Sequence, residues 1–395
     1  MIIDFNCTST LTHHWSSVGA YLNFIKALDS QIEIWIPEYA SSEIVDSLSG
    51  ATKIHAKLYS PQYGPSSFLR YPTAWVLSFF AERIFPKIPF RKIKNRIKRY
   101  LLNYYLQEVE NRIVEESRIF DLSLVVPTLD YLGLELTKRL SSRNTPISIS
   151  IRRFGAESKS SFASGDELDQ LLICAKISKE TRIKIGITTL DLFEALKSNS
   201  EFSDNIFWCP LPPDLPKKNE SLKLTNHLKI GFPGAAKKRK GTERIPEIAK
   251  LLIKSGFNFT IYFQKAPYEW EGYQDTIDRI HSEIQNYVEL PAVITIKEFI
   301  AVFNSMDLVV LPYDSSSYST ADSGILYQAA DRGIPIIYTK GCGFASEAKK
   351  YGVGFELDTL TNENIGQLLR IPLSAKFLSY NRDRAQATNS FLGIN

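Results

Sequence analysis

DLVVLPYDSSSYSTADSGILYQAADRGIPIIYTKGCG, residues 307–343, is the stretch whose pattern decides the fold. Leu308–Tyr313 is an apolar run without polar alternation, the length of one strand buried on both faces, as in a parallel sheet. A polar loop of Ser, Thr, Tyr and Asp follows, where such sheets expose functional groups. Asp322 or Ser323 reads as an N-cap, with capping the expected role of Asp322, and Ile325, Leu326, Ala329 and Ala330 form the buried face of a short helix. Gly333 ends that helix and Pro335 enters the next strand, Ile334–Tyr338. The order strand, loop, helix, strand aims a helix N-terminus at the carboxyl edge of a sheet. The amides of Gly324 and Ile325, with the helix dipole behind them, make an anion site there.

Outward from this stretch the same alternation repeats. Strands are expected at Ile2–Phe5, Ile32–Ile36, Ala51–Leu58, Leu122–Val126, Ile147–Ile151, Ile183–Thr188 and Ile206–Cys209, with helical spacing at Val18–Leu28 and Leu190–Leu196. Pro210, Pro212, Pro213 and Pro216 then crowd a short segment, and a polar run follows. Proline at that density stiffens a connector. Strands resume at Leu228–Phe232, Phe257–Phe263 and Val353–Leu357, with helices expected at 243–252, 276–284 and 297–303. A chain of 395 residues is long for one core, so the pattern reads as α/β with two doubly wound domains. The expected boundaries are 1–210, a linker at 211–226, a second domain at 227–372, and a tail helix at 373–395.

Composition narrows the class. Hydrophobic content of 44%, charged content of 23% and a net charge of +4 are ordinary for a soluble globular protein. Cys7, Cys174, Cys209 and Cys342 have no paired spacing, which argues against a zinc site or a disulfide framework. MIIDFNCTST does not read as a signal peptide, and no uncharged apolar run reaches the roughly 17 residues needed to span a bilayer. A cytoplasmic setting is the expectation.

One region breaks the rhythm. Residues 68–106 interleave aromatics with Lys87, Arg91, Lys92, Lys94, Arg96, Lys98 and Arg99, and no acid stands between Glu82 and Glu108. Ile93, Ile97, Tyr100, Leu101 and Tyr104 repeat at helical spacing, so residues 87–105 read as a basic amphipathic helix. Such a helix suits an anionic membrane surface, on the inner face of a plasma membrane; the alternative is a solvated face packed on the first domain. The acid-free run favours the membrane by a small margin. No nucleic-acid-binding motif accompanies the patch.

Gln328, Ala329, Gly333 and Pro335 match the second half of the signature Glu-Gly-Phe-Gly-x4-Glu-Ala-x-Ala-x-Gly-x-Pro. On these residues the chain resembles GT-B fold nucleotide-sugar glycosyltransferases of the retaining Glu-x7-Glu class. Thr320 and Gln328 stand where its two glutamates would be, and the pair Ser323-Gly324 resembles a variant of the signature. The resemblance implies two Rossmann-like domains facing a central cleft, the first for the acceptor and the second for the donor. It also implies a tail helix crossing back to the first domain. KIGFPGAAKKRKGTER, residues 229–244, resembles the family's donor-phosphate loop, with Gly234 in the turn and Lys240 at the diphosphate. The family's companion arginine is absent, and Lys237, Lys238 or Arg239 could replace it. A cation is needed there because the leaving nucleoside diphosphate gains negative charge.

The resemblance also distributes the remaining roles. Donor contacts fall to Gly234, Lys240, Tyr313, Ser323, Gly324, Ile325 and Gln328, with Gln328 able to hydrogen-bond ribose hydroxyls without a charge. Asp130, His14 and Asp322 are the catalytic candidates. His13, Arg152 and Arg153 are the acceptor-binding candidates, placed at carboxyl edges of strands in the first domain. The histidines are expected on a loop, where solvated histidines are commoner than catalytic ones. No metal and no cofactor beyond the nucleotide-sugar substrate is implied. The implied activity moves a sugar to a saccharide or lipid-linked glycan, in bacterial surface polysaccharide or glycoconjugate synthesis. A nucleotide-sugar epimerase or hydrolase on the same fold, or a non-catalytic binding subunit, are the alternatives.

Overall fold

The computed structural model describes residues 1–3, 13–26, 32–37, 45–46, 48, 51, 53–58, 106–107, 109–118, 122–126, 131–143, 147–153, 170, 173–174, 176, 182–199, 203–213, 227–254, 256, 258–361 and 374–393. The basic aromatic stretch at 87–105 and Asp130 lie outside them. Contacts group the chain into two compact units, Met1–Arg153 with Ser158–Gly186, and Phe154–Glu157 with Ile187–Asn395.

The first seven strands are β1 (Ile2–Ile3), β2 (Glu33–Pro37), β3 (Lys53–Leu58), β4 (Ser123–Val126), β5 (Ser148–Arg153), β6 (Arg182–Ile187) and β7 (Ile206–Trp208). They form one sheet in the order β3-β2-β1-β4-β5-β6-β7. Helices α1 (His13–Lys26), α2 (Tyr131–Ser142) and α3 (Leu190–Asn199) belong to this half of the chain. Ile2, Ile34, Leu124, Ile149 and Ile185 are buried along its strands. β1 pairs in parallel with both β2 and β4, so chain direction along the sheet reverses between β1 and β4. Such a reversal opens a crevice at the carboxyl edge.

The second sheet has the order β10-β9-β8-β11-β12-β13. Its strands are β8 (Leu228–Ala235), β9 (Phe259–Gln264), β10 (Tyr287–Leu290), β11 (Leu308–Leu311), β12 (Ile336–Tyr338) and β13 (Gly354–Glu356), and every neighbouring pair is parallel. β11, the run LVVL, is buried at all four positions, as an unalternating apolar run requires in a sheet covered on both faces. α4 (Ile245–Lys254) and α5 (Tyr273–Glu283) close the core over β8 and β9 through Ile248, Leu252, Ile277 and Ile280. α6 (Ile296–Asn304) begins with a full capping box, Thr295 and Glu298 bonding each other's backbone N–H. α7 (Ser315–Tyr318), α8 (Gly324–Arg332), α9 (Ala345–Tyr351) and the tail helix α10 (Ser374–Leu392) complete the second unit. The chain runs from β8 towards β9 and from β11 towards β12, so this sheet too reverses at its centre, between β8 and β11.

The structure differs from expectation at several elements. α1 starts at His13, so both histidines sit in a helical first turn and not on a loop. Arg152 and Arg153 are the last two residues of β5 and do not follow it. The polar loop after β11 contains the short helix α7, and β10 and α9 are strands and helices that periodicity did not separate. Residues 211–213, at the start of the expected linker, are buried.

Candidate functional site

β8 ends in Phe-Pro-Gly-Ala, and Gly234 turns the chain with φ +85°. The Lys240 side chain comes back over that glycine: a Cβ at Gly234 would lie 2.6 Å from Lys240 Nζ. Glycine adopts this left-handed conformation without strain and leaves the ammonium its place. No described carboxylate pairs with Lys240. Burial, followed by repulsion from Lys237 and Arg239, lowers its ammonium to about 8, so it is still mainly charged at neutral pH. It borders a small notch of about 20 Å³ lined also by Gly234, Thr242, Gln264, Pro312 and Tyr313.

The turn bearing Lys240 is fixed to the end of β11. Gly241 has φ +69°, and a Cβ there would lie 1.9 Å from the Pro312 carbonyl oxygen. The Asp314 amide donates to the Arg239 carbonyl at 3.0 Å. Tyr313 leaves the strand buried, its ring 4.6 Å from that of Tyr318 and edge-on to Phe344 at 5.6 Å. Burial raises its phenol well above the ordinary range, with a side-chain hydrogen bond to Ser323 opposing the shift. Tyr313 thus lines the Lys240 notch.

Ser323, not Asp322, is the N-cap of α8; its Oγ accepts from the Leu326 amide at 3.4 Å. Asp322 is buried beside it. Asp314 caps α7, accepting the amides and hydroxyls of Ser316 and Ser317, which lower its carboxyl to about 2. Gly324 is exposed, and a Cβ there would meet nothing within 4 Å, so the space before the helix is open. The amides of Gly324 and Ile325 donate to no described residue. Gln328 is half-buried one turn on, and its side-chain amide is likewise unbonded within the described residues. The buried face of α8 is Leu326, Tyr327, Ala329 and Ala330; Tyr327 takes the place expected for Ile325.

The structure therefore brings Gly234, Lys240, Tyr313, Asp322, Ser323, Gly324, Ile325 and Gln328 to one edge of the second sheet, around the β8–β11 reversal. In the first unit, His13 and His14 open α1, and Arg152 and Arg153 end β5; their side chains are outside the described set. Among the described residues no group of three or more His, Cys, Asp and Glu could hold a metal ion, and no helix is long and apolar enough to cross a membrane.

Sequence reasoning missed a buried polar cluster under α8. Glu347 in α9 is wholly buried and accepts from the Leu190 amide at 3.2 Å and from Tyr380 Oη at 2.6 Å. Arg384, also wholly buried, donates to the Leu211 carbonyl through Nε at 3.0 Å and Nη2 at 2.7 Å, and to Asp331 through Nη1 at 2.7 Å. Its guanidinium lies over the rings of Tyr327 and Tyr380. Tyr327 in turn donates to the Thr188 carbonyl at 3.2 Å.

No protein-family model matches the chain, and no curated protein matches it. Solved structures do. The N-terminal domain of Candida albicans trehalose-6-phosphate phosphatase is similar at TM-score 0.58 and 12% identity, covering 99% of this chain and 96% of that one. Anabaena Alr3699/HepE, solved with UDP-glucose, is similar at 0.53 and 10%, covering 99% and 94%. A UDP-N-acetylglucosamine 2-epimerase, assigned as putative, from Listeria monocytogenes is similar at 0.51 and 12%, covering 99% and 91%. At these identities the likeness shows the fold, the paired Rossmann-like sheets of GT-B proteins.

Proposed function

We propose that the protein is a glycosyltransferase that takes a sugar from a nucleotide diphosphate donor and passes it to a saccharide or lipid-linked glycan. The observation that carries this is one arrangement. A half-buried cation that pairs with no described carboxylate, Lys240, and two open helix amides, Gly324 and Ile325, belong to the segments that follow the neighbouring strands β8 and β11 at a sheet reversal. Both favour the charge that grows on a leaving diphosphate. In this reading Lys240 and the helix amides hold the phosphates, Gly234 admits them, and Gln328 reaches the ribose. Asp322, Asp130 and His14 are the candidates for acid–base work, and His13, Arg152 and Arg153 for the acceptor. Lys240 supplies the neutralising charge that a metal ion supplies elsewhere, so transfer is proposed to be metal-independent. A membrane-bound acceptor would suit the basic stretch at 87–105, and bacterial surface polysaccharide or glycoconjugate synthesis would use such a reaction.

A second reading is favoured by Thr320 and Gln328, which stand where the resembling class carries acids. It makes the protein a binder of sugar nucleotides without transfer, and an epimerase or hydrolase would instead turn over donor alone. The deciding experiment is a thermal-shift panel of nucleoside diphosphates and their sugars, followed by product analysis with and without glycan acceptors. A ligand that binds only the folded chain raises its melting temperature. Stabilisation by one diphosphate series, lost in Lys240→Ala, and product formed only with acceptor are the expected results. No stabilisation by any nucleotide overturns the reading.

A further inference from the structure

Beside the Lys240 notch is a larger open recess of about 460 Å³. Lys238, Arg239, Gly241, Arg244, Asp314 and Thr339 are among the residues that wall it. Pro312 and Tyr313 line both spaces, but Lys240, Ser323, Gly324, Ile325 and Gln328 do not line this one. The two spaces adjoin at that shared segment, which leaves β11.

Three cations border it. Lys238 and Arg239 are exposed, and among the described residues neither pairs with a carboxylate. The Arg239 guanidinium rests over the Tyr318 ring, 5.7 Å from its centroid. Arg244 donates to Thr339 Oγ1 at 3.2 Å and stands 3.7 Å from Asp358. Two acids also line the recess. Asp314 has both carboxylate oxygens occupied by the amides and hydroxyls of Ser316 and Ser317, and Glu243 is exposed to water. The cations are pre-positioned: Gly241 lies against Pro312, its amide donates to the Lys238 carbonyl at 2.8 Å, and the Asp314 amide ties down Arg239. Four consecutive cations, Lys237–Lys240, thus repel one another on a turn that cannot spread, and Lys237 and Lys240 are both pulled below the ordinary lysine range by burial and by that repulsion. A bound anion relieves the repulsion, and guanidinium and ammonium donors match its oxygens.

We propose that this recess is a second anion site that takes a phosphate monoester through Lys238, Arg239 and Arg244, independently of any nucleotide at Lys240. The group could come as free phosphate or on a phosphorylated sugar.

Calorimetric titration of the full chain with inorganic phosphate, glucose 6-phosphate and glucose tests it, using wild type, Lys238→Ala/Arg244→Ala and Lys240→Ala. Saturable phosphate binding should weaken at least about tenfold in the double variant, the effect of losing one or two charge-assisted contacts, and less than about threefold in Lys240→Ala. Tighter binding of glucose 6-phosphate than of phosphate identifies a sugar phosphate; equal binding identifies the free ion. Binding that survives the double variant, that is lost in Lys240→Ala instead, or that never saturates at millimolar phosphate overturns the proposal. Lys238→Ala/Arg239→Ala, both at exposed positions, replaces the first pair if its melting temperature falls. Absence of UDP binding by the same wild-type chain would count against the nucleotide reading and leave this site untouched.

Discussion

Tyr380 Oη donates to Glu347 Oε2 at 2.6 Å, tying the tail helix α10 to a carboxyl that has no solvent exposure. Burial is the main force on that carboxyl, and the neighbouring Asp322 adds to it, whereas Tyr380, the Leu190 amide and Arg384 favour the ionised form. The net effect raises it from 4.5 to about 7. Arg384 cannot fully compensate Glu347, because Asp331 and the Leu211 carbonyl already occupy it.

A pH dependence of stability follows, with a definite sign. Between about 4.5 and about 7 the folded chain keeps the Glu347 proton and the unfolded chain releases it. The unfolded state binds fewer protons in that window, so stability falls as pH rises through it and levels off above. A shift of this size corresponds to about 3 kcal/mol. Glu347→Gln removes the ionisation, and its side chain can still accept from Leu190 and donate to the Tyr380 oxygen. Urea unfolding at pH 5 and pH 8 should show a smaller loss in the variant than in wild type. Equal losses would mean that Glu347 is already ionised in the folded chain at pH 5.

Arg384 makes the opposite case. Replacing it with Ala removes the guanidinium that bonds Asp331 and the Leu211 carbonyl, together with the cation stacked on Tyr327 and Tyr380. Breaking one side of such a pair typically costs about 3–5 kcal/mol. Denaturant midpoints should fall accordingly, and a change under about 1 kcal/mol would show that water replaces the lost contacts.

Neither residue was legible in the sequence, for a physical reason. Leu190 and Glu347 are 157 positions apart, and Leu211 and Arg384 are 173, so no local pattern announces their meeting. β11 was legible because all of LVVL is buried, and α8 because Ser323 and Gly333 punctuate its ends. β10 was not: at the sheet edge it is half-exposed, and YVEL mixes apolar and charged residues like a loop. The capping choice between Asp322 and Ser323 needed coordinates, since both residue types cap well. Lys240 was legible as a cation before a glycine; that its ammonium folds over Gly234 was not.

Lys240→Ala should impair transfer far more than folding. Loss of one electrostatic contact to a leaving group typically costs about 10²–10³ in rate. The folded state should not suffer, because removing a cation crowded by Lys237 and Arg239 relieves repulsion. Transfer rates and melting temperature of the purified variant check both halves, and full activity in folded protein would remove Lys240 from the site.

The basic stretch at 87–105 should hold the full chain on anionic vesicles at low salt. Each cation near such a surface contributes about 1 kcal/mol, so neutralising Lys92, Arg96 and Arg99 together should release most of the bound protein. Co-sedimentation with phosphatidylserine vesicles reads this directly. No binding at low ionic strength would assign the stretch to a solvated face.

Gln328 is where the resembling signature and this chain disagree most sharply. It sits half-buried one turn into α8, past the open amides of Gly324 and Ile325, and its side chain bonds to no described residue. If it meets ribose hydroxyls, it does so as a neutral group, through bonds worth roughly 0.5–1.5 kcal/mol each against 1.5–3 for charged ones. Gln328→Ala should therefore weaken nucleotide binding by about tenfold, the equivalent of 1.4 kcal/mol. Gln328→Glu keeps the volume and restores the acid, so it should retain or tighten binding provided the carboxylate faces hydroxyls. Weaker binding in the Glu variant would place the residue against the diphosphate, where like charges repel. Calorimetric titration of both variants with the best-bound nucleoside diphosphate separates these outcomes. Unchanged affinity in both would show that residue 328 does not face the nucleotide, and the correspondence of Thr320 and Gln328 with the signature acids would fall with it.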